Sequence, residues 1–580
     1  MHVLRVDMTT QKITCEPLPD GWELVGGRAL VAKVLCSEVP PQCEPLGAYN
    51  RLVLAVGPLA RSGVPCAERL SAGAKSPLTQ GIKESNAGGV LGYQMAAAGM
   101  RAIIIEGRAV HGGPYVLHCS PSENRLVPVP GLSGRGVYAA TRILKAEFGD
   151  NAAVAVIGPA GEFLMAGAGI FITDTDGVPG RACGRGGLGA VMGAKGLKAV
   201  VVGPHRAPRP RTADPAALRA AIAEFLGMIR DTPQTAHAYP TYGTAGSLGP
   251  INALGGLPTR NFTAGSFEQA AAVSGEVLRD LIASRGGQGK SGHRCMPGCV
   301  VKCSNVFPDA DGKPVVAPLE YETIAMLGPN LGIADLDTIA QLNHLANDVG
   351  VDTIEAGVAL GMLMGAGRLA FGDGRGALAL MKEIGEGTVL GRVLGNGAAI
   401  TGRVLGITRI PAVKGQGFPA HEPRGIKGMI STYALSPMGA DHTAAVTFRA
   451  DMDHHRGAGH TAFNRTLQVR VAGFDSLGMC LFVTPAIGKK PALMADLINA
   501  VHGTGVGPEY LMELGKETLK HERAFNLAAG CGPDRLPEFM AEEAIPPFNL
   551  VADAPGPELE SFWEPDFWGP LPVLPRWSKP

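Results

Sequence analysis

Three cysteines stand close together in the stretch HRCMPGCVVKC, and their spacing is one that metal sites use. Cys295, Cys299 and Cys303 follow the pattern C-x3-C-x3-C. A zinc site would need a second pair of Cys or His ligands, and none follows within twenty residues. A [4Fe–4S] cluster takes four thiolates, one of which can come from far along the chain, and Cys480 is the candidate. Buried free thiols remain the alternative interpretation.

A glycine-rich stretch, GRACGRGGLGAVMGAKG, contains G-x-G-x-x-G at Gly184, Gly186 and Gly189. We reject a dinucleotide site, because no strand-like run leads into these glycines and no acidic residue follows about twenty residues later. Backbone N–H groups beside Arg181 and Arg185 suit a phosphate of another kind. A glycine-rich packing turn explains the same residues equally well.

Two hexamers share a pattern: NDVGVD at 347–352 and DSLGMC at 475–480. Each begins with a polar residue, has glycine fourth and ends in a residue that can act as a ligand. Each also follows a helical run, so we expect each to end a helix. Helix capping is the plain interpretation, and two turns that hold a two-part ligand are the functional one.

Two titratable residues are candidates for proton transfer: Glu322, in EYE, and His442, in GADH. His454, His455 and His460 also cluster, but no carboxylate stands at helical spacing from them. We interpret those three as solvated or supporting side chains rather than metal ligands.

The composition favours a packed globular protein whose partner is a small molecule. The 580 residues carry 52 basic and 52 acidic side chains, so no overall charge points to nucleic acid. The N-terminus lacks a secretory signal, and the longest apolar stretch, GVALGMLMGAG, is well short of the ~20 residues that span a bilayer. Clustered cysteines without an export signal predict a reducing, cytoplasmic location.

The elements that position these residues change along the chain. Short β-like runs fill the first 203 residues, and a Pro- and Arg-rich break follows, in which Asp214 before Pro215 predicts a helix N-cap. Helical periodicity dominates afterwards, also around the cysteines, which differs from the barrel and the C-x3-C-x2-C spacing of radical-SAM enzymes. We predict an α+β protein, with a β-rich N-terminal domain and two mainly helical domains, at residues 1–203, 204–410 and 411–580.

Together these blocks resemble the aldehyde ferredoxin oxidoreductase family of tungsten or molybdenum bis-pyranopterin enzymes. The resemblance runs from residue 1 to about residue 530. It rests on the two hexamers and on the blocks GGRAL, LVLAVGPLARSGVPCAERLSAGAKSPLT, ESNAGGVLG, GRACGRGGLGAVMGAKGLKAV, LEYETIAMLGPNLGI and HEPRGIKGMISTYALSPMGADH.

The resemblance implies that the β-rich domain is the base for two pterins, which the helical domains cover, and that one [4Fe–4S] cluster lies beside them. The N-terminal pterin-binding pattern matches Arg69, Asn86, Gly88, Arg181, Ala182, Gly184 and Arg185. The two pterin motifs match Asn347, Val351, Asp352, Asp475, Met479, Cys480 and Leu481. The cluster ligands would be Cys295, Cys299, Cys303 and Cys480, and Asn86 with the carbonyl of Ala182 would bind a magnesium ion.

The resemblance also implies an activity. Glu322 would be the general base that activates water, and His442 would donate a hydrogen bond to the developing oxyanion, as an aldehyde becomes a carboxylic acid. Electrons would leave through the cluster to ferredoxin or a similar iron–sulfur subunit. The chain would work as a homo- or hetero-oligomer. A subunit of a larger electron-transfer complex, catalytic or not, and a plain iron–sulfur carrier are the competing hypotheses.

Four features depart from the family's pattern. The cysteine spacing is usually C-x2-C-x3-C, Asn347 replaces an aspartate and Met438 replaces an arginine. Beyond residue 530 a Trp- and Pro-rich tail stands in place of the usual closing helix. The substrate pocket and the partner surface are therefore expected to differ from those of other members.

Overall fold

Two six-stranded sheets form the N-terminal part of the computed structural model, which describes residues 1–110, 113–205, 210–488 and 490–577. The first sheet contains β1 (His2–Asp7), β2 (Lys12–Pro17), β3 (Leu52–Val56), β4 (Leu70–Lys75), β5 (Ile82–Ala87) and β6 (Met100–Glu106), in the order β2-β1-β6-β3-β4-β5. The second contains β7 (Tyr115–Cys119), β8 (Asn124–Pro128), β9 (Ala153–Val156), β10 (Ile170–Ile172), β11 (Arg181–Cys183) and β12 (Leu197–Val202), in the order β11-β10-β9-β12-β7-β8.

The two sheets pack face to face because their central strands are apolar on both sides. On β6, Ile103 and Ile105 lie in the core between the sheets. Ala102 and Ile104 point the other way and pack under the helix Gly27–Glu38. This alternation is the period of two that a strand imposes on its side chains, and it gives the domain layers of helix and sheet.

Helices dominate the rest of the chain. The longer ones are Gly27–Glu38, Leu91–Ala97, Val137–Phe148, Leu188–Ala194, Pro215–Asp231, Gly275–Arg285, Tyr321–Leu327, Leu336–Val349, Thr353–Gly365, Gly374–Glu386, Val389–Gly395, Ala398–Leu405, Gly428–Leu435, Thr461–Ser476, Ala492–His502 and Tyr510–Ala529. Shorter ones are Pro159–Glu162, Tyr239–Tyr242, Leu248–Ala253, Thr484–Ile487, Phe539–Glu542, Gly556–Glu560 and Pro565–Trp568. The predicted α+β class is confirmed, whereas the predicted domain boundaries stay a prediction.

The helix Pro215–Asp231 begins as its sequence predicts. The Asp214 carboxylate accepts hydrogen bonds from the N–H groups of Ala216 and Ala217, at 3.0 and 2.9 Å, and Pro215 occupies the first helical position. An N-cap aspartate satisfies backbone donors that have no partner within the helix. The N-cap prediction is therefore confirmed.

Two smaller sheets occur, and one of them corrects an expectation. They contain β13 (Lys290–His293), β14 (Ser304–Pro308) and β15 (Pro314–Val316), and β16 (Ala412–Val413) with β17 (Gln416–Gly417). The cysteines at 295–303 form the loop between antiparallel strands β13 and β14. The expected helical surroundings are therefore wrong, because Pro297 and the left-handed Gly298 (φ +71°) keep this segment from forming a helix.

A second correction concerns the glycine-rich stretch. The strand β11 does lead into these glycines, contrary to expectation, and it pairs antiparallel with β10 at the edge of the second sheet. A dinucleotide-binding βαβ unit needs parallel strands joined by the helix. The structure therefore excludes that unit here by topology rather than by absence of a strand.

The tail folds back onto the helices. Phe562 and Trp568 are fully buried against Leu435, Val469 and Leu519. The Glu558 carboxylate accepts hydrogen bonds from three consecutive N–H groups, 459–461, where the helix Thr461–Ser476 starts. The tail is thus part of the core.

Among the described residues, no single helix has the length and apolarity to cross a bilayer; Thr461–Ser476 and Leu481–Ile487 pass that test only together, with a bend of 119° between them.

Candidate cofactor and active site

A cavity of about 850 Å³ lies where the N-terminal sheets meet the helices, and most predicted site residues line it. Those that line it are Arg69, Asn86, Gly88, Arg181, Ala182, Gly184, Cys295, Cys303, Glu322, Asn347, Val351, Asp352, His442, Cys480 and Leu481. Four predicted site residues do not line the cavity, namely Arg185, Cys299, Asp475 and Met479. One space therefore joins the candidate catalytic pair to three of the thiols.

Both hexamers end helices, as their sequences predict. Gly350 (φ +85°) follows the helix Leu336–Val349, and Gly478 (φ +70°) follows the helix Thr461–Ser476. A left-handed glycine ends a helix without the steric cost that a side chain would bring. Each turn then continues to the cavity wall at Asp352 or Cys480.

The two hexamers rest on equivalent glycines of the N-terminal part. A Cβ on Gly57 would lie 2.0 Å from the carbonyl oxygen of Leu477, the third residue of the second hexamer. A Cβ on Gly158 would lie 2.2 Å from the carbonyl oxygen of Val349, the third residue of the first. Only glycine allows these approaches, so the same kind of contact occurs once at each hexamer.

Backbone hydrogen bonds repeat this equivalence. The Asp352 N–H donates to the Gly167 carbonyl at 2.9 Å, and the Cys480 N–H donates to the Cys66 carbonyl at 2.9 Å. The fourth residue of each hexamer also accepts a bond, Gly350 from Gly169 at 3.0 Å and Gly478 from Arg69 at 3.1 Å. The two hexamers are therefore held in matching ways, as a two-part ligand requires.

Arg69 lies between the second hexamer and the thiols. Its guanidinium donates to the side chain of Asn86 and, at 2.9 Å, to the Asn86 carbonyl. Burial opposes its charge, but nearby Cys480 and Cys295 raise the pKa of Arg69 overall. In this structure Asn86 Oδ1 accepts a hydrogen bond from Arg69. The magnesium site at Asn86 and Ala182 stays a prediction.

The residues of β11 fit an anionic group. Arg181 Nε is buried and has no protein partner among the described residues, although Arg181 Nη1 lies 3.6 Å from Glu320. A Cβ on Gly184 would meet nothing closer than 3.7 Å and would fill the edge of the cavity. An unused guanidinium donor beside bare backbone suits a phosphate-bearing ligand such as a pterin.

Arg185 does not line the cavity, but it links two segments that do. Its Nε lies 3.2 Å from the Asp352 carboxylate and its Nη2 lies 3.1 Å from that of Glu355. It also donates to the carbonyl oxygens of Gly417 and Ala440, at 2.6 Å each. Arg185 therefore fixes the end of the first hexamer to the segment that carries His442.

The Glu322 carboxylate lies between two imidazoles. Its Oε1 is 3.2 Å from His421 Nδ1 and 3.3 Å from His442 Nε2, and its Oε2 accepts a 2.7 Å hydrogen bond from the Ala420 N–H. Burial favours the neutral acid, but His442, His421 and this N–H outweigh it and lower the pKa of Glu322 to about 2. The site therefore holds an ionised carboxylate.

His421 was missed in the sequence. It belongs to the block HEPRG, which pointed to the family without singling out this residue. His421 is buried, its ring stacks on that of His442 with centroids 5.6 Å apart, and the Tyr433 hydroxyl donates to its carbonyl at 2.9 Å. No local pattern could have revealed it, because its partners are distant in sequence.

His442 is positioned from the N-terminal sheet. Asp441 caps the turn that starts at His442 by accepting a 3.0 Å bond from Thr443 N–H, and it forms a buried ion pair with Lys83 of β5. Burial lowers the pKa of His442, although Glu322 opposes this effect. A neutral imidazole beside an ionised carboxylate can accept or share a proton.

Five cysteines rather than four gather beside the cavity. Cys66 lies in the same buried cluster as Cys295, Cys299, Cys303 and Cys480. No three His, Cys, Asp or Glu side chains in the described ranges are placed to hold a single metal ion. A cluster binds each thiolate to a different iron, so its ligands stand further apart than those of one ion.

The remaining histidine cluster is less exposed than expected. His460 is buried, His454 and His455 are partly buried, and His455 Nε2 lies 2.9 Å from the carbonyl oxygen of Leu254. None of the three lines the cavity. Tertiary packing by the tail segment, including Phe548 against His455, covers them.

Comparison with known proteins identifies the family. The N-terminal domain of aldehyde ferredoxin oxidoreductase matches residues 3–204, and its domains 2 and 3 match residues 220–558. The chain belongs to the aldehyde ferredoxin oxidoreductase family. Members of this family are oxidoreductases with a pterin-bound tungsten or molybdenum, which the residues of this cavity fit.

Individual relatives cover nearly the whole chain. A tungsten-containing aldehyde ferredoxin oxidoreductase of Pyrococcus abyssi is 32% identical, with 94% of this chain and 92% of that protein covered. The WOR-like subunit of an aliphatic sulfonate oxidoreductase of Pyrococcus furiosus is 28% identical, with 94% and 88% covered. The active-site complex BamBC of benzoyl coenzyme A reductase shares the fold, with a TM-score of 0.79, 20% identity and coverage of 97% and 92%.

Proposed function

We propose that this chain is a tungsten- or molybdenum-pterin oxidoreductase that oxidises an aldehyde to a carboxylic acid. The reaction adds one oxygen from water and releases two protons and two electrons. When bound, the pterin-held metal supplies the two-electron oxidation. The observation that carries the proposal is the Glu322 carboxylate, which lies between two imidazoles in the same cavity as Cys295, Cys303 and Cys480.

The two hexamers and Arg181 are the proposed pterin contacts. Residues of both hexamers and Arg181 line one cavity. The hexamers are held by equivalent backbone bonds, and Arg181 Nε is a buried donor without a protein partner among the described residues. Asn347 and Asp352 would contact one pterin, and Cys480 and Leu481 the other. Asp475, Met479 and Arg185 would act indirectly, by holding these turns in place.

Proton transfer falls to Glu322 and its histidines. A carboxylate with a pKa near 2 is a weak base at neutral pH. We therefore assign the acceptance of the proton from water to the Glu322–His442 pair as a unit, in which the carboxylate stabilises the imidazolium that forms. The His442 N–H then faces the developing oxyanion. This revises the role expected for Glu322 alone.

Electrons would leave by way of the thiols. We propose that Cys295, Cys299, Cys303 and Cys480 would hold a [4Fe–4S] cluster beside Arg69, which would supply one-electron transfer to ferredoxin or a similar iron–sulfur partner. Arg69 supports this route because it contacts Asn86 and lies next to Cys480 and Cys295. Its buried charge would also stabilise the negative charge of a reduced cluster.

A second candidate function is a subunit of a larger electron-transfer complex that acts on another small substrate. The 28% identical Pyrococcus furiosus relative, named as a subunit of an aliphatic sulfonate oxidoreductase, favours it. Size-exclusion chromatography of the native protein, purified without a tag on this chain, separates the two candidates. Co-elution with other gene products in fixed proportion would favour the complex.

Activity tests the first proposal directly. Protein purified under anaerobic conditions should reduce a viologen dye with short aliphatic or aromatic aldehydes, and Glu322→Gln should slow this by about 10²–10⁴-fold while metal and iron contents stay the same. Dye reduction by Glu322→Gln at the wild-type rate would contradict the assigned site. His455→Gln, outside the cavity, is the matched control and should keep full activity.

A further inference from the structure

Cys66 is the fifth thiol at the candidate cluster site, and neither the cysteine motif nor the pterin motifs include it. It is fully buried, and it follows Pro65 in a loop that precedes β4. Its N–H donates to the Gly298 carbonyl at 3.1 Å, inside the cysteine loop, and its carbonyl accepts from Cys480. Cys66 therefore touches both segments that supply the proposed cluster ligands.

The thiol of Cys66 points toward the cluster loop. Its Sγ accepts a 3.4 Å bond from the Val300 N–H. Its thiol also neighbours that of Cys299, which in turn neighbours that of Cys295, and both neighbours affect the pKa of Cys299. Cys299 therefore lies between Cys66 and Cys295.

The backbone role of Cys66 does not need a thiol. At the second hexamer, the Cys66 carbonyl accepts a bond from the Cys480 N–H. At the first hexamer, the Gly167 carbonyl accepts the equivalent bond from the Asp352 N–H. The equivalent position is therefore served by a residue with no side chain. Cys66 also has a left-handed backbone (φ +60°), which costs a non-glycine residue energy.

Cys299 is the one proposed ligand that does not line the cavity. Cys295, Cys303 and Cys480 line it, whereas neither Cys299 nor Cys66 does. Neighbouring thiols in direct contact are too close for two irons of one cluster, because each thiolate binds its own iron. The longer C-x3-C spacing gives this part of the loop one residue more than usual.

On the basis of the proposed cluster, we propose that Cys66 can hold the fourth iron in place of Cys299. The exchange moves no electrons: the bond between Cys299 sulfur and iron breaks, a bond between Cys66 sulfur and iron forms, and the proton that Cys66 releases passes to Cys299. The ligand set would then be Cys66, Cys295, Cys303 and Cys480.

Iron and acid-labile sulfide analysis of single and double variants tests this inference. Wild type, Cys66→Ala and Cys299→Ala should each hold about four irons per chain, and the double variant Cys66→Ala/Cys299→Ala should lose the cluster. Loss of the cluster in Cys66→Ala alone would also support Cys66 as a ligand, provided that Cys299→Ala keeps it. Cys303→Ala, the matched control, should lose the cluster by itself.

Two outcomes would overturn the inference. One is loss of the cluster in Cys299→Ala alone, to the same extent as in Cys303→Ala. The other is retention of four irons in the double variant. A shift in the electron paramagnetic resonance spectrum of reduced Cys299→Ala relative to wild type, with no cluster signal in Cys66→Ala/Cys299→Ala, gives a readout of the exchanged ligand that does not depend on activity.

Controls separate this inference from the proposed function. If wild-type protein holds no iron after anaerobic purification and reconstitution, the proposed cluster fails, and with it the function. If wild type holds four irons, only the ligand assignment is under test. Circular dichroism verifies that each variant is folded, and Cys66→Ser replaces Cys66→Ala if alanine at this position prevents folding.

Discussion

His421 Nδ1 lies 3.2 Å from Oε1 of Glu322, and His442 Nε2 lies 3.3 Å from the same oxygen. Only 3% of the His421 surface is exposed. Both histidines line the cavity, and His421 is the more deeply buried of the two. We therefore expect His421 to be a positioning residue, which acts on the reaction through Glu322.

Replacement of His421 should shift the pH dependence of activity. The contact with His421 helps to lower the pKa of Glu322, so His421→Phe should raise that pKa and move the acidic limb of the kcat/KM profile to higher pH. His421→Gln, which can still donate a hydrogen bond, should shift it less. If the acidic limb of the kcat/KM profile of His421→Phe lay at the same pH as that of wild type, the positioning role would be contradicted.

Replacement of Glu322 should remove most of the activity. Glu322→Gln keeps the shape of the side chain but removes the charge that stabilises an imidazolium, so kcat should fall by about 10²–10⁴-fold. Metal, pterin and iron contents should stay unchanged, because no proposed cofactor ligand is altered. A rise in KM or a fall in metal content that accounts for the whole loss of activity would show that Glu322 binds substrate or cofactor rather than taking part in proton transfer.

The same carboxylate should make stability depend on pH. Its pKa is lowered from about 4.5 to about 2 in the folded chain, so the ionised form adds stability above pH ~4.5 that is lost as pH falls toward 2. The test is urea unfolding of cofactor-free protein. The unfolding free energy of wild type minus that of Glu322→Gln should fall by about 2 kcal/mol between pH 7 and pH 3. An advantage that grows on acidification would contradict this sign.

The glycines beneath the hexamers should be intolerant of a methyl group. Gly57→Ala and Gly158→Ala would place a Cβ 2.0 and 2.2 Å from backbone carbonyl oxygens, which forces the hexamers outward. Each should cost about 1–3 kcal/mol or more in unfolding free energy and lower pterin content. Gly227→Ala is the control. Gly227 lies in the helix Pro215–Asp231 and its added Cβ would have no neighbour within 4 Å, so this substitution should stabilise the protein slightly.

The tail should contribute to stability. Trp568 is almost fully buried, and Trp568→Ala should cost about 3–5 kcal/mol, measured by chemical unfolding. Trp577, partly exposed near the end of the described chain, is the control, and Trp577→Ala should have little effect. Equal effects of the two substitutions would mean that the tail does not pack as described.

The sequence revealed the residues that belong to local patterns. Cys295, Cys303 and Cys480, like Glu322 and His442, belong to spaced motifs, and the structure brings these five to one cavity. The hexamers were predicted to end helices because a left-handed glycine has a recognisable sequence signature. The β-rich and helical parts were recognised from periodicity alone.

Other features depend on contacts between distant segments, which no local pattern encodes. Lys83 and Asp441 are 358 residues apart, and Cys66 and Cys299 meet only because two loops fold together. The short strands beside the cysteines were also missed, since three- to five-residue strands carry little periodicity. Tertiary contact decides which of several polar residues reaches the site.

The central claim is that the two hexamers hold a two-part metal cofactor beside an iron–sulfur cluster. Metal, pterin and iron analysis of anaerobically purified wild-type protein tests it most directly. We predict about one tungsten or molybdenum, two pterins and about four irons per chain. Protein that is folded and full-length but holds neither tungsten nor molybdenum after expression with both metals supplied would contradict the claim.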